Sequence, residues 1–308
     1  MRRAVIDVGS NSCLLTVAEL QDGTWVSIAD RSIVTALGQG TKSSGLLHPE
    51  GSAKTRDALR LLFEEARGYG VAHPLAFGTM ALRIASDAES FLASCREQST
   101  PIGVLSGEEE ARFGFLSVAS DPLFAAANRL TIIDPGGHST ELVTADRSSE
   151  GWETRFERSY AVGALGLREN LLADETPDFP ARMGAVGHID RLIGLEYRPH
   201  QAGQVIVLGA TGTNLITIRE QMPAWDAARV HGARLDYEEV GRAVGWLCDM
   251  TDAQRRNVIG MEPGRERTLH IGALILERFL YCLHALDCRV SVRGWRHAVL
   301  ETGFGLAE

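Results

Sequence analysis

A short segment occurs twice in this chain of 308 residues, and the duplication restricts the possible folds more than any other feature. Residues 4–18 read AVIDVGSNSCLLTVA and residues 131–145 read TIIDPGGHSTELVTA. At a constant offset of 127 positions, the identical pairs are Ile6 and Ile133, Asp7 and Asp134, Gly9 and Gly136, Ser12 and Ser139, Leu15 and Leu142, and Ala18 and Ala145. Each copy has an apolar run, an Asp, a small polar turn and a second apolar run, which predicts a β-hairpin. The chain is therefore expected to contain two similar halves.

Each hairpin is predicted to continue into a third strand. The dipeptide Asp22-Gly23 is a strong hairpin signal and leads to Thr24–Ile28, while a turn at Arg147–Gly151 leads to Trp152–Tyr160. Helical and strand patterns then alternate in the first half: Ser52–Arg67 (helix), Leu75–Phe77 (strand), Asp87–Arg96 (helix), Ile102–Leu105 (strand) and Glu108–Val118 (helix). Alternation after an antiparallel start is typical of α/β proteins with mixed sheets. We expect an N-terminal lobe at 1–125 and a C-terminal lobe at 126–308.

The composition excludes several classes of protein. The chain has 31 Lys and Arg against 40 Asp and Glu, a net charge of −9, which argues against nucleic-acid binding because that depends on many cationic contacts. Five cysteines without a CxxC motif indicate neither a disulfide framework nor a zinc site, and favour a reducing compartment. Charged residues interrupt the most apolar stretch, Leu269–Leu286, which predicts a buried helix rather than a membrane span. We expect a cytoplasmic protein that binds neither nucleic acid nor membrane.

Several further motifs run along the chain in a fixed order. They are Asp7–Ser12 (DVGSNS), Gly78–Arg83 (GTMALR), Ser106–Arg112 (SGEEEAR), Asp134–Leu142 (DPGGHSTEL), Gly209–Thr213 (GATGT), Gly260–Arg265 (GMEPGR) with Gly272–Leu276 (GALIL), and Ser291–Arg296 (SVRGWR). With these motifs the chain resembles the exopolyphosphatase / guanosine pentaphosphate phosphohydrolase (Ppx/GppA) family of the actin-like ATPase superfamily. The resemblance implies an α/β fold of two similar actin-like (ribonuclease H-like) lobes, with mixed β-sheets flanked by helices and an active-site cleft between them. It also implies the short, two-domain form of the family.

The resemblance assigns phosphate binding to the two hairpin turns, to one arginine and to a third glycine-rich turn. The implied residues are Gly9, Ser10, Asn11, Ser12, Arg83, Gly136, Gly137, His138, Ser139, Thr140, Gly209, Gly212 and Thr213. Turns of this kind suit the role because successive backbone N–H groups can form an anion-binding concavity. Arginine suits it because its planar fork binds phosphate oxygens bidentately.

Four acidic residues are implied to carry the chemistry. Asp7, Asp134 and Glu141 are expected on the metal side, with Mg²⁺ (or Mn²⁺) as the cofactor, and Asp134 and Glu141 are also expected at the catalytic centre. The catalytic glutamate immediately precedes the Ala of EEEAR, which is Glu110 here. Its expected role is to orient or deprotonate the attacking water. Glu108 and Glu109 have a simpler explanation, since acidic residues at a helix N-terminus interact favourably with its dipole.

Two departures from the family pattern leave the substrate open. Pro135 removes one backbone N–H from the second turn, and His138 adds a bulky titratable side chain there. The leading hypothesis is a Mg²⁺-dependent exopolyphosphatase that releases terminal phosphate, with short chains favoured because nothing extends the two lobes. The alternatives are a guanosine pentaphosphate (pppGpp) 5′-phosphohydrolase, a sugar- or acetate-type kinase, and a catalytically degenerate phosphate- or nucleotide-binding sensor. A symmetric homodimer is the default expectation for the oligomeric state.

Overall fold

The structure is a computed structural model, and it describes residues 1–194 and 202–303. The chain forms two compact units. Unit 1 consists of Met1–Ser117 together with the C-terminal segment from Trp295, and unit 2 consists of Val118–Gly294.

Unit 1 contains a five-stranded mixed sheet. Its strands are β1 (Arg2–Val8), β2 (Ser12–Gln21), β3 (Thr24–Val34), β4 (Leu75–Gly78) and β5 (Gly103–Val104), in the spatial order β3-β2-β1-β4-β5. The first three strands are antiparallel neighbours, whereas β4 and β5 run parallel to β1. The predicted turn after β2 is present, with Asp22 and Gly23 both at positive φ, as a tight hairpin turn requires.

Helices flank this sheet. They are α1 (Thr41–Ser44), α2 (Pro49–Gly68), α3 (Met80–Ile84), α4 (Ala88–Glu97) and α5 (Gly107–Ala119), with the C-terminal helix Trp295–Thr302, which is α13 in chain order. Helix α2 buries Leu59, Leu62 and Phe63 in the core of unit 1. Helix α13 packs against β1 through a separate apolar cluster that includes Trp295 and Val299. The unit therefore has apolar layers that cover both faces of its sheet.

Unit 2 repeats the same strand order and adds an edge strand. Its strands are β6 (Arg129–Pro135), β7 (Thr140–Ser148), β8 (Gly151–Tyr160), β9 (Gln204–Val207), β10 (Arg234–Asp236) and β11 (Asp287–Val290), in the order β10-β11-β9-β6-β7-β8. Strands β6, β7 and β8 are antiparallel neighbours, β9 and β11 continue in parallel from β6, and β10 is antiparallel to β11.

The helices of unit 2 surround one large apolar core. They are α6 (Ala164–Glu169), α7 (Phe179–Ile193), α8 (Gly209–Arg219), α9 (Ala227–Val230), α10 (Tyr237–Cys248), α11 (Asp252–Arg256) and α12 (Leu269–Cys282), and a 3₁₀ turn at Pro122–Phe124 precedes β6. Helix α12 is buried over most of its length, as its apolar sequence predicts. No helix among the described residues is long and apolar enough to cross a membrane. All five cysteines are free thiols.

The duplication is confirmed residue by residue. Asp7 lies opposite Leu14 in the first hairpin, and the equivalent Asp134 lies opposite Glu141 in the second. In both units the third strand carries a β-bulge at the same place: the extra residue is Ile28 in unit 1 and Arg155 in unit 2, again 127 positions apart. The predicted α/β class with two similar mixed sheets is therefore confirmed.

The grouping of the last helix differs from the sequence-based division at 125/126. That division places everything after residue 125 in one lobe, whereas helix α13 belongs to unit 1. The side chain of Arg3 on β1 donates a hydrogen bond to the backbone carbonyl of Leu300, and its guanidinium also lies over the Trp25 ring. Contacts between residues almost 300 positions apart thus fix the place of α13.

Candidate active site

The two hairpin turns close with the same backbone hydrogen bond. The N–H of Gly9 donates to the carbonyl of Ser12 at 2.9 Å, and the N–H of Gly136 donates to the carbonyl of Ser139 at 2.9 Å. A side chain on Gly136 would approach the Ser139 carbonyl oxygen to 2.9 Å, so this position requires glycine. The turns that the sequence assigned to phosphate binding therefore share the same closing hydrogen bond.

In unit 1, backbone N–H groups of the segment after β3 donate hydrogen bonds to the carbonyl groups of the first turn. The carbonyl of Ser10 accepts a hydrogen bond from the N–H of Gly38 at 2.7 Å, and that of Asn11 accepts one from the N–H of Thr35 at 3.0 Å. Because a trans peptide holds its C=O and N–H on opposite sides, the N–H of Asn11 points away from this segment. The turn thus directs a backbone donor outward from its support.

Unit 2 uses the equivalent segment in the same way. The carbonyls of Gly136 and Gly137 accept hydrogen bonds from the N–H groups of Ala164 (3.0 Å) and Leu165 (2.7 Å). Gly163 lies directly against the turn: a Cβ there would be 2.4 Å from both the Gly137 carbonyl carbon and the His138 nitrogen. The N–H groups of Gly137 and His138 therefore point away from helix α6, in an arrangement that suits an anion.

Asp7 lies at the end of β1, where its side chain is only 13% exposed. Its Oδ2 is 3.8 Å from Nη1 of Arg296, and its Oδ1 is buried without a hydrogen-bond partner among the residues that the structure describes. Burial raises the pKa of this carboxyl to about 6, although the Arg296 charge and a hydrogen bond from Trp295 both lower it. A carboxylate in this setting lacks a compensating cation or donor at Oδ1.

Arg83 and Glu110 form an ion pair in unit 1. Nη1 of Arg83 donates to Oε2 of Glu110 at 2.8 Å and also to the backbone carbonyl of Leu105 at 2.8 Å. The side chains are 19% and 15% exposed, respectively. Helix α3 with Arg83 follows β4, and helix α5 with Glu110 follows β5. Because β4 and β5 are parallel neighbours, the two side chains arise from the same edge of the sheet.

The three consecutive glutamates of α5 have different surroundings. Glu109 forms a capping box with Ser106: its Oε2 accepts from the Ser106 N–H at 2.8 Å, and its N–H donates to Ser106 Oγ at 3.1 Å. Glu108 is exposed. Glu110 contacts Arg83, so the one glutamate assigned to catalysis is also the one that faces another predicted site residue.

In unit 2, Asp134 and Glu141 lie opposite each other on β6 and β7. Glu141 is 5% exposed, and its Oε1 accepts a hydrogen bond from the hydroxyl of Ser159 at 2.8 Å. Gly209, at positive φ, begins helix α8 next to this pair, and a Cβ there would be 2.9 Å from Oδ1 of Asp134. Two carboxylates facing each other across a ladder repel unless a cation or hydrogen bonds compensate.

Other residues assigned to phosphate binding have packing contacts. The hydroxyl of Thr140 donates to the carbonyl of Val162 at 2.8 Å, and that of Thr213 donates within its own helix to the carbonyl of Ala210 at 3.3 Å. Gly212 lies against β9, because a Cβ there would meet Val207 Cγ1 at 2.7 Å. These contacts account for the three residues without a ligand, and their phosphate role stays a prediction.

The bulky His138 side chain of the second turn is buried. It is 1% exposed, and Ser139 is also buried. We therefore expect the backbone N–H of His138, rather than its side chain, to contact a phosphate.

Four residues near these groups escaped the sequence-based assignment of site residues. They are Ser159, which donates to Glu141; Gly163, which supports the second turn; and Trp295 and Arg296, which face Asp7. The repeat offers a signal for Gly163, since it is 127 positions after Ala36 in the support of the first turn. Trp295 and Arg296 lie in the motif Ser291–Arg296, to which the sequence assigned no role, and no local pattern identifies Ser159.

Comparison with known proteins agrees with this architecture. The family model described as the Ppx/GppA phosphatase family matches residues 16–303. The chain is 27% identical over 293 residues to exopolyphosphatase 2 of Mycobacterium tuberculosis, covering 90% of this chain and 89% of that protein.

Solved structures show the same fold. The Aquifex aeolicus member of the Ppx/GppA family has a TM-score of 0.79 and 26% identity, covering 98% of this chain and 97% of that one. An exopolyphosphatase from Cytophaga hutchinsonii has a TM-score of 0.88 and 19% identity, with coverage of 98% and 97%. The similarity extends over nearly the whole of each chain. This chain therefore belongs to the Ppx/GppA phosphatase family and is a phosphoanhydride hydrolase.

Proposed function

We propose that the protein is an exopolyphosphatase that releases the terminal phosphate of inorganic polyphosphate. The observation that carries the proposal is the duplicated turn. In both units its carbonyl groups accept hydrogen bonds from backbone N–H groups of the segment that follows the third strand. Each turn thereby presents backbone N–H groups suited to phosphate oxygens. The name of the M. tuberculosis relative, exopolyphosphatase 2, supports polyphosphate as the substrate.

The acidic residues of the two hairpins fit a divalent cation, Mg²⁺ or Mn²⁺. Asp7 in unit 1 has a buried Oδ1 without a partner among the described residues, and Asp134 faces Glu141 in unit 2. Within residues 1–194 and 202–303, no cluster of three or more His, Cys, Asp or Glu side chains can hold a metal ion. One or two carboxylates are sufficient for Mg²⁺, since substrate phosphates and water complete its coordination. When bound, the cation neutralises charge on the phosphate oxygens.

Glu110 is the proposed general base. Its carboxylate orients a water molecule and accepts a proton as the water oxygen attacks the terminal phosphorus. The bond from that phosphorus to the bridging oxygen breaks, so the products are orthophosphate and a chain shorter by one phosphate. Polyphosphate has no nucleobase or sugar that the protein would need to recognise. A site of backbone amides, arginine and carboxylates therefore suits this substrate.

Arg83 is the proposed side-chain partner of the substrate phosphate. Nη1 contacts both Glu110 and the Leu105 carbonyl, and the guanidinium has five N–H donors in all. A phosphate bound to the remaining donors shares the positive charge of this group with Glu110. Substrate binding is therefore expected to loosen the ion pair and make the Glu110 carboxylate available to water.

Phosphate release tests the proposal directly. Wild type, Glu110→Gln and the control Glu108→Gln are assayed with Mg²⁺ on polyphosphates of defined length, pppGpp and ATP. Loss of a general base costs about 10²–10⁴-fold in rate, so we expect this loss in Glu110→Gln and near wild-type activity in Glu108→Gln. Unchanged activity in Glu110→Gln would contradict its role as base.

The same assay separates the competing functions. Release from pppGpp without release from polyphosphate would assign the pppGpp 5′-phosphohydrolase activity instead. Phosphate binding without release from any substrate would indicate a sensor. Transfer of phosphate from ATP to an added sugar would indicate a kinase.

A further inference from the structure

We infer that Ser159 is a positioning residue for Glu141, an inference that rests on the proposed role of Glu141 as a metal-side carboxylate. The hydroxyl of Ser159, on β8, donates to Oε1 of Glu141, on β7, at 2.8 Å. The two residues lie directly opposite each other in the ladder. Ser159 thus fixes one oxygen of the carboxylate that faces Asp134.

The internal repeat distinguishes this contact from ordinary strand packing. The row across unit 2 is Asp134, Glu141 and Ser159, and the equivalent row across unit 1 is Asp7, Leu14 and Ser32. Both rows have the Asp and the Ser, but only unit 2 has a carboxylate between them. The serine of unit 1 faces an apolar side chain, so it provides an internal control for the serine of unit 2.

The hydrogen bond has two physical consequences for Glu141. A buried carboxylate is costly unless it is hydrogen-bonded, and the Ser159 hydroxyl supplies one such bond. Fixing Oε1 also restricts rotation of the carboxylate plane and keeps a defined set of lone pairs directed toward a ligand. Groups that orient metal-binding side chains in this way commonly contribute 10–100-fold to metal affinity or activity.

The position of Ser159 permits a clean test. Ser159 is exposed, so Ser159→Ala removes the hydroxyl without creating a cavity in the core. Ser159→Thr retains a hydroxyl on a side chain that strands favour. Ser32→Ala removes the equivalent serine of unit 1, where the opposite residue is Leu14.

The experiment measures Mn²⁺ binding to the whole protein by electron paramagnetic resonance, together with the Mg²⁺ concentration that gives half-maximal phosphate release. We expect Ser159→Ala to weaken Mn²⁺ binding and to raise the half-maximal Mg²⁺ concentration, each by about 10–100-fold. Ser159→Thr should restore both values to those of wild type, and Ser32→Ala should change neither. In a Glu141→Gln background, Ser159→Ala should have no further effect, because the serine acts through that carboxylate.

The outcomes separate this inference from the proposed function. Two results would overturn the positioning role even if phosphate is released. One is unchanged Mn²⁺ binding in Ser159→Ala, and the other is Mn²⁺ binding that is equally strong in wild type and Glu141→Gln. Mn²⁺ binding that depends on Ser159 in a protein that hydrolyses no substrate would support the positioning role and refute the exopolyphosphatase.

Discussion

Nη1 of Arg83 donates a hydrogen bond to Oε2 of Glu110 at 2.8 Å, and both side chains are largely covered. The sequence assigned these residues separate roles, phosphate binding for the arginine and water activation for the glutamate. Their direct contact means that the two roles are coupled, because a phosphate bound to the guanidinium shares its positive charge with the Glu110 carboxylate. This ion pair is partly buried, so removing one partner takes away a charge that stabilises the other.

Replacing Arg83 should therefore affect both substrate binding and turnover. We expect Arg83→Ala to lower kcat/KM by at least about 10²-fold, and Arg83→Lys to recover only part of it because a lysine lacks the bidentate fork. In the double variant with Glu110→Gln the losses should not add, since the residues interact directly. Steady-state phosphate release is the measurement. Arg96→Ala, which removes an exposed arginine paired with Glu89, is the control, and an equal loss there would contradict a specific role for Arg83.

Gly163 should be essential for the shape of the second turn. A Cβ at this position would lie 2.4 Å from the backbone of Gly137 and His138, so Gly163→Ala must displace the turn. We expect a loss of about 1–3 kcal/mol in the free energy of unfolding and an increase in KM for polyphosphate. Gly184→Ala is the control, because α7 has open space at that glycine and alanine favours helix. Urea denaturation measures the free energy of unfolding, and steady-state kinetics measure KM. Wild-type values of both in Gly163→Ala would show that the turn does not depend on this contact.

Asp7 should make stability depend on pH in the absence of metal. Its pKa is raised from 3.8 to about 6, so the folded state binds the proton more tightly than the unfolded chain. The resulting contribution to stability is complete below pH 3.8 and is lost as the pH rises through 6, a change of at most about 3 kcal/mol. Asp7→Asn lacks this titration. In EDTA, we therefore expect the unfolding free energy of Asp7→Asn to rise relative to wild type between pH 4 and pH 8.

Two comparisons check the interpretation of Asp7. Asp57→Asn, at an exposed position on α2, should show no such trend relative to wild type. Added Mg²⁺ should stabilise wild type at pH 8 more than it stabilises Asp7→Asn. A difference between Asp7→Asn and wild type that is constant with pH would refute the raised pKa.

The hairpins could be predicted because their signals are local and occur twice. An Asp before a small polar turn, repeated at an offset of 127, predicted both turns and their acidic residues. The Asp22-Gly23 turn and the buried helix after Leu269 followed from equally local patterns. The contact between Ser159 and Glu141 could not be predicted in this way. A regular hairpin that pairs Ser148 with Gly151 would place Arg158 opposite Glu141. The β-bulge shifts the register by one residue, so that Ser159 lies opposite Glu141 instead.

The surroundings of Asp7 and Glu110 depend on contacts that no sequence window contains. Arg296 reaches Asp7 from a helix near the end of the chain, and its Nε donates to Thr16 Oγ1 at 3.0 Å. The contact of Arg83 with Glu110 depends on the pairing of two short strands, β4 and β5. The motifs therefore indicated which residues are important, whereas tertiary packing determined their partners.

The central claim is that water attacks the terminal phosphorus of a polyphosphate. Hydrolysis of a short polyphosphate in ¹⁸O-labelled water with Mg²⁺, followed by mass spectrometry of the products, tests it most directly. We predict one ¹⁸O atom in each released orthophosphate and none in the shortened chain, with the rate lowered about 10²–10⁴-fold in Glu110→Gln. Label in the shortened chain, or no orthophosphate from wild type, would contradict the account.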